Sequence, residues 1–238
     1  MILWYNTSET GSGREEKSII RAVLFDMDGL LVDSERVAML MDVEAGKRTG
    51  YPITWEIALR TLGVTRQRSI EIYTEAFGRF SPEKFYPVFD ALTEEAALKG
   101  EMHAKKGAEE LLKYLTGRGI PYAVATSSPL DHARLRLSSA GLWQYFSVFA
   151  TGREVKRSKP APDIFLLAAE KLGAKPEGCL VLEDSPNGVK AGRAGGMQVC
   201  MVPDLAPYGA ELAPYCDHVC EDLSQVIDLM EKEKGEDQ

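Results

Sequence analysis

Short apolar runs alternate with amphipathic stretches along most of the chain. VLF at 23–25 leads straight into acids, and PYAVATSS (121–128) reads as a buried strand running into a polar loop. YFSVFATG (145–152), CLVLED (179–184) and QVCMV (198–202) predict further strands. Between them, KGAEELLKYLTGRG (106–119), PLDHARLRLSSAG (129–141), DIFLLAAEKLG (163–173) and NGVKAGRAGG (187–196) repeat their apolar positions at helical spacing and end on glycine or small residues. Strand–helix alternation of this kind predicts a parallel sheet covered by helices on both faces.

Residues 36–100 break the rhythm. RVAMLMDVEAGKRTG, TWEIALRTLG, TRQRSIEIYTEAFG and SPEKFYPVFDALTEEAALKG all read as helices, with no strand run among them. The expected fold class is therefore α/β, a Rossmann-like doubly wound parallel sheet core with an inserted all-helical cap domain. The expected division is an N-terminal extension over 1–17, a core from 18–34 and 103–238, and a cap over 35–102. Crossing segments near Asp33–Glu35 and Met102–Gly107 would let the cap move against the core. Trp55 and the ring set Tyr73, Phe77, Phe85, Tyr86 and Phe89 are expected to fill the cap's own core.

Composition narrows the picture. With 45% hydrophobic and 27% charged residues the chain is an ordinary globular one, and its formal charge of −8 argues against nucleic acid or an anionic membrane surface as partner. The opening apolar run is shorter than the roughly 7–15 residues of a secretory signal, and no stretch approaches the roughly 20 needed to span a bilayer. Cys179 and Cys200 lie in strand runs, where a cysteine acts as a small hydrophobe. Cys216 and Cys220 have the spacing of a metal pair but no second pair to complete it. These features suit the reduced cytoplasm; the sequence does not give the oligomeric state, and a monomer is the expectation.

The strand ends carry the chemistry. Asp26 and Asp28 follow the first strand; Thr126, Ser127 and Ser128 the second; Lys159 lies in RSKPAP after the third; Glu183 and Asp184 end the fourth. In open parallel sheets, ligands sit beyond these carboxyl ends. Pro129, Pro162 and Pro186 stand where helices should begin, and Ser128 and Ser185 precede two of them as caps would. Helix starts aimed into one crevice favour an anion. Clustered carboxylates repel unless a hard cation sits among them, and Mg2+ uses one or two carboxylates plus substrate phosphate. Thr126 and Lys159 would take the remaining phosphate oxygens. Of two aspartates two residues apart, one can attack phosphorus and the other can serve as acid and base.

FDMDGLLVDSE, ATSS, SKPAPDIF and LEDSPNG resemble, in order and context, the four motifs of the haloacid dehalogenase-like phosphatase superfamily, over about residues 20–220. The chain looks most like the branch of sugar-phosphate phosphatases, β-phosphoglucomutases and pseudouridine-monophosphate phosphatase-like members. The resemblance implies a phosphatase that hydrolyses a small phosphorylated metabolite with Mg2+. It makes Asp26 the nucleophile and a metal ligand, and Asp28 the acid/base, with its backbone carbonyl on the metal. Thr126, Ser127 and Lys159 would bind phosphate; Asp184 would hold Mg2+, with Glu183 a direct or water-mediated partner. LGVTR resembles a cap segment that reaches substrate, which nominates Arg66.

Two positions depart from the pattern. Ala38 stands where the mutases carry a proton-moving histidine, and Lys106 replaces the proline usual before the hinge glycine. A phosphomutase is the alternative expectation, weakened by Ala38. Dehalogenases lack the second aspartate, so Asp28 argues against that chemistry, and a non-catalytic module would be expected to have lost a motif residue. His103 and His132 read as structural.

Overall fold

A computed structural model describes residues 20–205 and 207–235. The expected extension over 1–17 lies outside the described residues. Six parallel strands form one sheet in the order β3-β2-β1-β4-β5-β6: β1 Ala22–Phe25, β2 Tyr122–Thr126, β3 Phe149–Thr151, β4 Cys179–Glu183, β5 Gln198–Met201 and β6 His218–Val219. β1 lies at the centre, and its four residues are all buried. Strands covered on both faces lose the polar alternation of a half-exposed sheet and read as continuous apolar runs.

The pleat divides these runs between two cores. Val23 and Phe25 join Val124, Leu180 and Leu182 on one face, under Leu111, Leu112 and Leu115 of α5 (Ala108–Arg118), Ala133 and Leu137 of α6 (Leu130–Ser139), and Val226 and Met230 of α9 (Ser224–Gly235). Ala22 and Leu24 point the other way, with Ala123, Val181 and Val199. There they meet Ile164, Phe165 and Ala168 of α7 (Asp163–Leu172) and Val189 of α8 (Pro186–Ala194). Burial at about 25 cal/mol per Å2 of apolar surface drives both layers.

Between β1 and α5 the chain forms α1 (Ser34–Thr49), α2 (Trp55–Leu59), α3 (Arg66–Phe77) and α4 (Pro82–Leu98). Met39, Ala45, Tyr73, Phe85, Tyr86 and Leu92 build a separate apolar cluster among them. Trp55 does not belong to it: the side chain is 44% exposed. α2 is only five residues long, too short to turn a consistent apolar face inward. The two crossing segments pair with each other, since Asp33 N–H donates to His103 O (2.9 Å) and Lys105 N–H to Leu31 O (2.9 Å). Lys106 instead ties to the C-terminal segment, its ammonium 2.7 Å from Asp222.

Other differences are local. The expected strand over 145–152 shortens to β3, with a single 3-10 turn at Trp143–Tyr145 ahead of it. Pro129 and Pro162 occupy the capping positions of α6 and α7, whereas Pro186 does begin α8. Cys220 Sγ lies 3.5 Å from Cys200 Sγ, so Cys220 packs against β5 from the segment just after β6. No helix among the described residues is long and apolar enough to cross a membrane.

Candidate active site

The strand-end loops of β1, β2 and β4 and the loop before α7 meet at one end of the sheet. They floor a cavity of about 810 Å3 whose opposite wall comes from α1, α3, α4 and the loop after α2. Asp26, Asp28, Thr126, Ser127, Lys159, Glu183, Asp184 and Arg66, all expected from the sequence, line it.

Asp26 is 7% exposed, fixed by its backbone N–H donating to Leu182 O (3.0 Å). The Lys159 ammonium donates to its carboxylate, to Glu183 Oε1 (2.6 Å) and to Ala125 O (3.3 Å). Burial would lower the Lys159 pKa, but the two flanking carboxylates prevail and hold it above the usual lysine value. For Asp26 burial dominates: even with Lys159 beside it, its pKa is pushed up to about 7, Glu183 and Asp28 adding to the rise.

Glu183 is fully buried and has both oxygens engaged. Oε1 takes Lys159, while Oε2 accepts from the backbone N–H groups of Asp184 (3.0 Å) and Ser185 (2.9 Å) and from Ser185 Oγ (3.0 Å). A Cβ on Gly188 would lie 1.7 Å from Glu183 Oε1, so the first turn of α8 approaches this close only with glycine there. Ser185 caps that helix as expected, accepting from Gly188 N–H at 3.1 Å.

Asp184 contrasts with its neighbour. It is 2% exposed, and no side-chain donor among the described residues reaches its carboxylate. Burial, then Glu183, Asp26 and Glu35, push its pKa well above the usual range. Gly29, at φ +83°, makes room for it, because a Cβ there would stand 2.3 Å from Asp184 Oδ2. Oxygens of Asp26, Glu183 and Asp184 lie within 4.8 Å of one another. Such a set of hard oxygen donors, with excess negative charge and one carboxylate lacking a donor, fits a divalent cation.

Asp28 is held differently. Ser34 Oγ donates to Oδ1 (2.6 Å), Ser128 Oγ to Oδ2 (3.0 Å), and Arg136 Nη1 lies 2.5 Å from Oδ1. Burial works to raise its pKa, but the Arg136 guanidinium and these hydroxyls outweigh it and hold the carboxyl below the ordinary value. Ser128 is thus not the cap of α6 but a partner of Asp28, and Pro129 takes the capping position without a side-chain bond. Thr126 Oγ1 accepts from Ser128 N–H at 3.0 Å, and the exposed Ser127 completes the turn.

Arg66 reaches the cavity from the start of α3, but Asp90 takes it at 2.6 and 3.2 Å and its guanidinium lies 4.2 Å above the Tyr86 ring. Three further groups escaped the sequence reading: Arg136, buried Asp42 on α1, and Asp204, whose carboxylate with Glu35 and Asp184 forms a second acidic group. Arg136 and Asp204 gave no local signal, since their partners lie far along the chain.

A parallel sheet whose strand ends gather carboxylates and a buried lysine beneath a helical insertion defines a Rossmann-like core with an enzyme's cleft. Residues 20–196 match the haloacid dehalogenase-like hydrolase family, and the chain belongs to it. It is 40% identical over 193 residues to a probable pseudouridine-5'-phosphatase of Drosophila melanogaster, covering 76% of this chain and 80% of that one. It is 33% identical over 188 residues to a phosphorylated carbohydrates phosphatase of Thermotoga maritima, covering 75% and 83%. A solved structure, a putative β-phosphoglucomutase from Thermotoga maritima, superposes with a TM-score of 0.75 at 29% identity, covering 89% of this chain and 99% of that one.

Proposed function

We propose that the chain is a Mg2+-dependent phosphatase of a small phosphorylated metabolite, a sugar phosphate or nucleoside monophosphate, working through an aspartyl-phosphate on Asp26. The observation that carries this reading is Asp26 itself. It is a buried carboxylate at the end of the central strand, gripped by Lys159 and clustered with Asp184, opening onto a cavity large enough for such a substrate.

Asp26 in its ionised form attacks phosphorus as the bond to the leaving oxygen breaks, and Asp28, having first taken up a proton from solvent, passes it to that oxygen. Water then attacks the phosphorus of the acyl phosphate, Asp28 takes its proton, and the bond to Asp26 breaks to free phosphate. Thr126, Ser127 and Lys159 hold the phosphoryl oxygens. Asp26, Asp184 and the backbone carbonyl of Asp28 would hold Mg2+, with Glu183 bracing Lys159 and the loop rather than spending an oxygen on the ion. When bound, the cation would cancel carboxylate charge and polarise the phosphoryl group.

The cap division at 35–102 against a core of 18–34 and 103–238 suits this chemistry, because paired crossing segments let one unit close on the other. Ala38 supports hydrolysis over a mutase: it lines the cavity with a methyl group where that reaction calls for an imidazole. Free Cys179, Cys200, Cys216 and Cys220 support a reducing compartment, the cytoplasm.

Phosphate release from a panel of phosphorylated metabolites, with Mg2+ and with EDTA, tests the reading. Mg2+-dependent turnover is expected, and Asp26→Asn should lower it by at least about a thousandfold, since an amide cannot attack. A silent panel, or an Asp26→Asn variant keeping a tenth of the rate, would overturn it.

A further inference from the structure

The cap wall of the cavity holds a charged group that the phosphoryl chemistry does not use. Asp42 on α1 is 6% exposed and lines the cavity together with Thr61, Ser69, Tyr73 and Tyr86. Its carboxylate accepts from Thr61 Oγ1 at 3.3 Å and from the Tyr73 hydroxyl. No lysine or arginine pairs with it among the described residues. A carboxylate has about four acceptor positions, so these two neutral donors leave acceptor capacity on the cavity side.

A buried charge without a cation is costly, and an amide would join α1 to α3 and the loop after α2 with the same two hydrogen bonds at lower cost. A group kept in that state and turned toward a cavity points to a ligand that supplies the missing donors. Glu35 and Asp90 add further carboxylates to this wall, and its one cation among the described residues, Arg66, is already engaged by both oxygens of Asp90 and by the Tyr86 ring. The cap therefore offers carboxylates and hydroxyls but no uncommitted cation. Such a wall repels a carboxylate or a second phosphate and accepts hydrogen bonds from neutral hydroxyl or N–H groups.

We infer that Asp42 determines substrate specificity by accepting hydrogen bonds from the hydroxyl groups of a neutral, polyhydroxylated leaving group, the alcohol part of a sugar, sugar-alcohol or nucleoside monophosphate. The inference rests on the phosphatase reading above and narrows its substrate class. Thr61 and Tyr73 act as positioning residues, since by donating to Asp42 they fix the direction in which its free lone pairs face.

Binding and turnover separate the two claims. Calorimetry on the full chain carrying Asp26→Asn, with Mg2+, would compare ribose 5-phosphate and glucitol 6-phosphate with 2-phosphoglycolate, whose leaving group is anionic. Hydroxylated esters should bind more tightly. Adding Asp42→Asn should cut that preference ratio by about 10- to 100-fold, as loss of a charged acceptor does. Asp42→Ser, measured beside it, should cut the ratio in the same direction. A ratio unmoved by both substitutions, or a preference for 2-phosphoglycolate, would overturn the inference. If the preference and its loss are seen but the unmodified chain releases no phosphate from any ester, the phosphatase reading falls and the role of Asp42 stands. If turnover is strong and the ratio ignores Asp42, the reverse holds.

Discussion

Arg136 Nη1 lies 2.5 Å from Asp28 Oδ1, joining the core helix α6 to the loop that follows the central strand. Ser34, the first residue of α1, donates to the same oxygen at 2.6 Å. One carboxylate is thus held jointly by the sheet core and by the first helix of the insertion. Three donors share the Asp28 carboxylate and favour its charged form. To act as an acid it must gain a proton, which these three donors oppose by stabilising the charged form, so a movement of α1 that loosens the Ser34 contact would favour the acid.

Arg136→Leu should therefore weaken both the fold and the chemistry. Loss of a charge-assisted hydrogen bond at this partly buried position should cost about 1.5–3 kcal/mol in urea unfolding. Turnover should fall about tenfold because Asp28 loses its orientation, and Arg136→Lys should recover part of it through the retained charge. Equal stability in all three proteins would show that the ion pair contributes nothing.

Lys159 stands between Asp26 and Glu183 with a side chain only 9% exposed. Lys159→Met leaves two buried carboxylates facing each other without a cation. Breaking such a pair from one side typically costs about 3–5 kcal/mol, so a large fall in melting temperature is expected in EDTA. Mg2+ should restore part of it by replacing some of the missing positive charge, and a variant as stable as the parent in EDTA would contradict this account of Lys159.

Metal binding has its own readout. Asp184 is buried with no side-chain donor among the described residues, so a cation should stabilise the folded chain over the unfolded one. At about 100 times the dissociation constant the gain is about 2.7 kcal/mol. Mg2+ titrated into the EDTA-treated protein should raise the melting temperature, and Asp184→Asn should remove most of that rise. An undiminished rise in the variant would move the ion elsewhere.

The strand-end chemistry was legible because it is contiguous. Asp26 with Asp28, Thr126 with Ser127, and Glu183 with Asp184 each follow an apolar run, and strand geometry alone puts them at one end of a parallel sheet. Arg136 was hidden because its partner lies 108 positions away and its own surroundings read as an ordinary amphipathic helix. Ser128 looked like a cap for the same reason: the local rule saw the proline after it and could not see Asp28. Asp42 was invisible to periodicity, since a polar residue on a helix is assigned to solvent until a second layer covers it. Past Val202 the pattern thins, and β6, two residues long, owes its place to β5 beside it.

Asp42 also makes the stability of the chain depend on pH in a direction opposite to that of a salt-bridged acid. Burial raises its pKa from 3.8 to about 6, with hydrogen bonds from Tyr73 and Thr61 opposing the rise. Tyr73 and Tyr86 are the titratable groups it affects, and both are pushed upward, so they stay neutral across this range. Between about pH 4 and 6 the folded chain holds a proton on Asp42 that the unfolded chain has released, so this group's contribution to stability falls as pH rises. Above pH 6 the full penalty is present, at most about 3 kcal/mol for a shift of this size. Asp42→Asn cannot titrate. Its stability relative to the parent should therefore grow between pH 4.5 and 7.5, reaching about 1–3 kcal/mol in its favour in urea unfolding. Taking the difference between the two proteins cancels the other titrating carboxylates, which both share. A difference that stays constant with pH would mean that Asp42 titrates as an ordinary exposed acid. A variant more stable and yet poorer at binding hydroxylated esters would show that the charge is kept for the ligand and not for the fold.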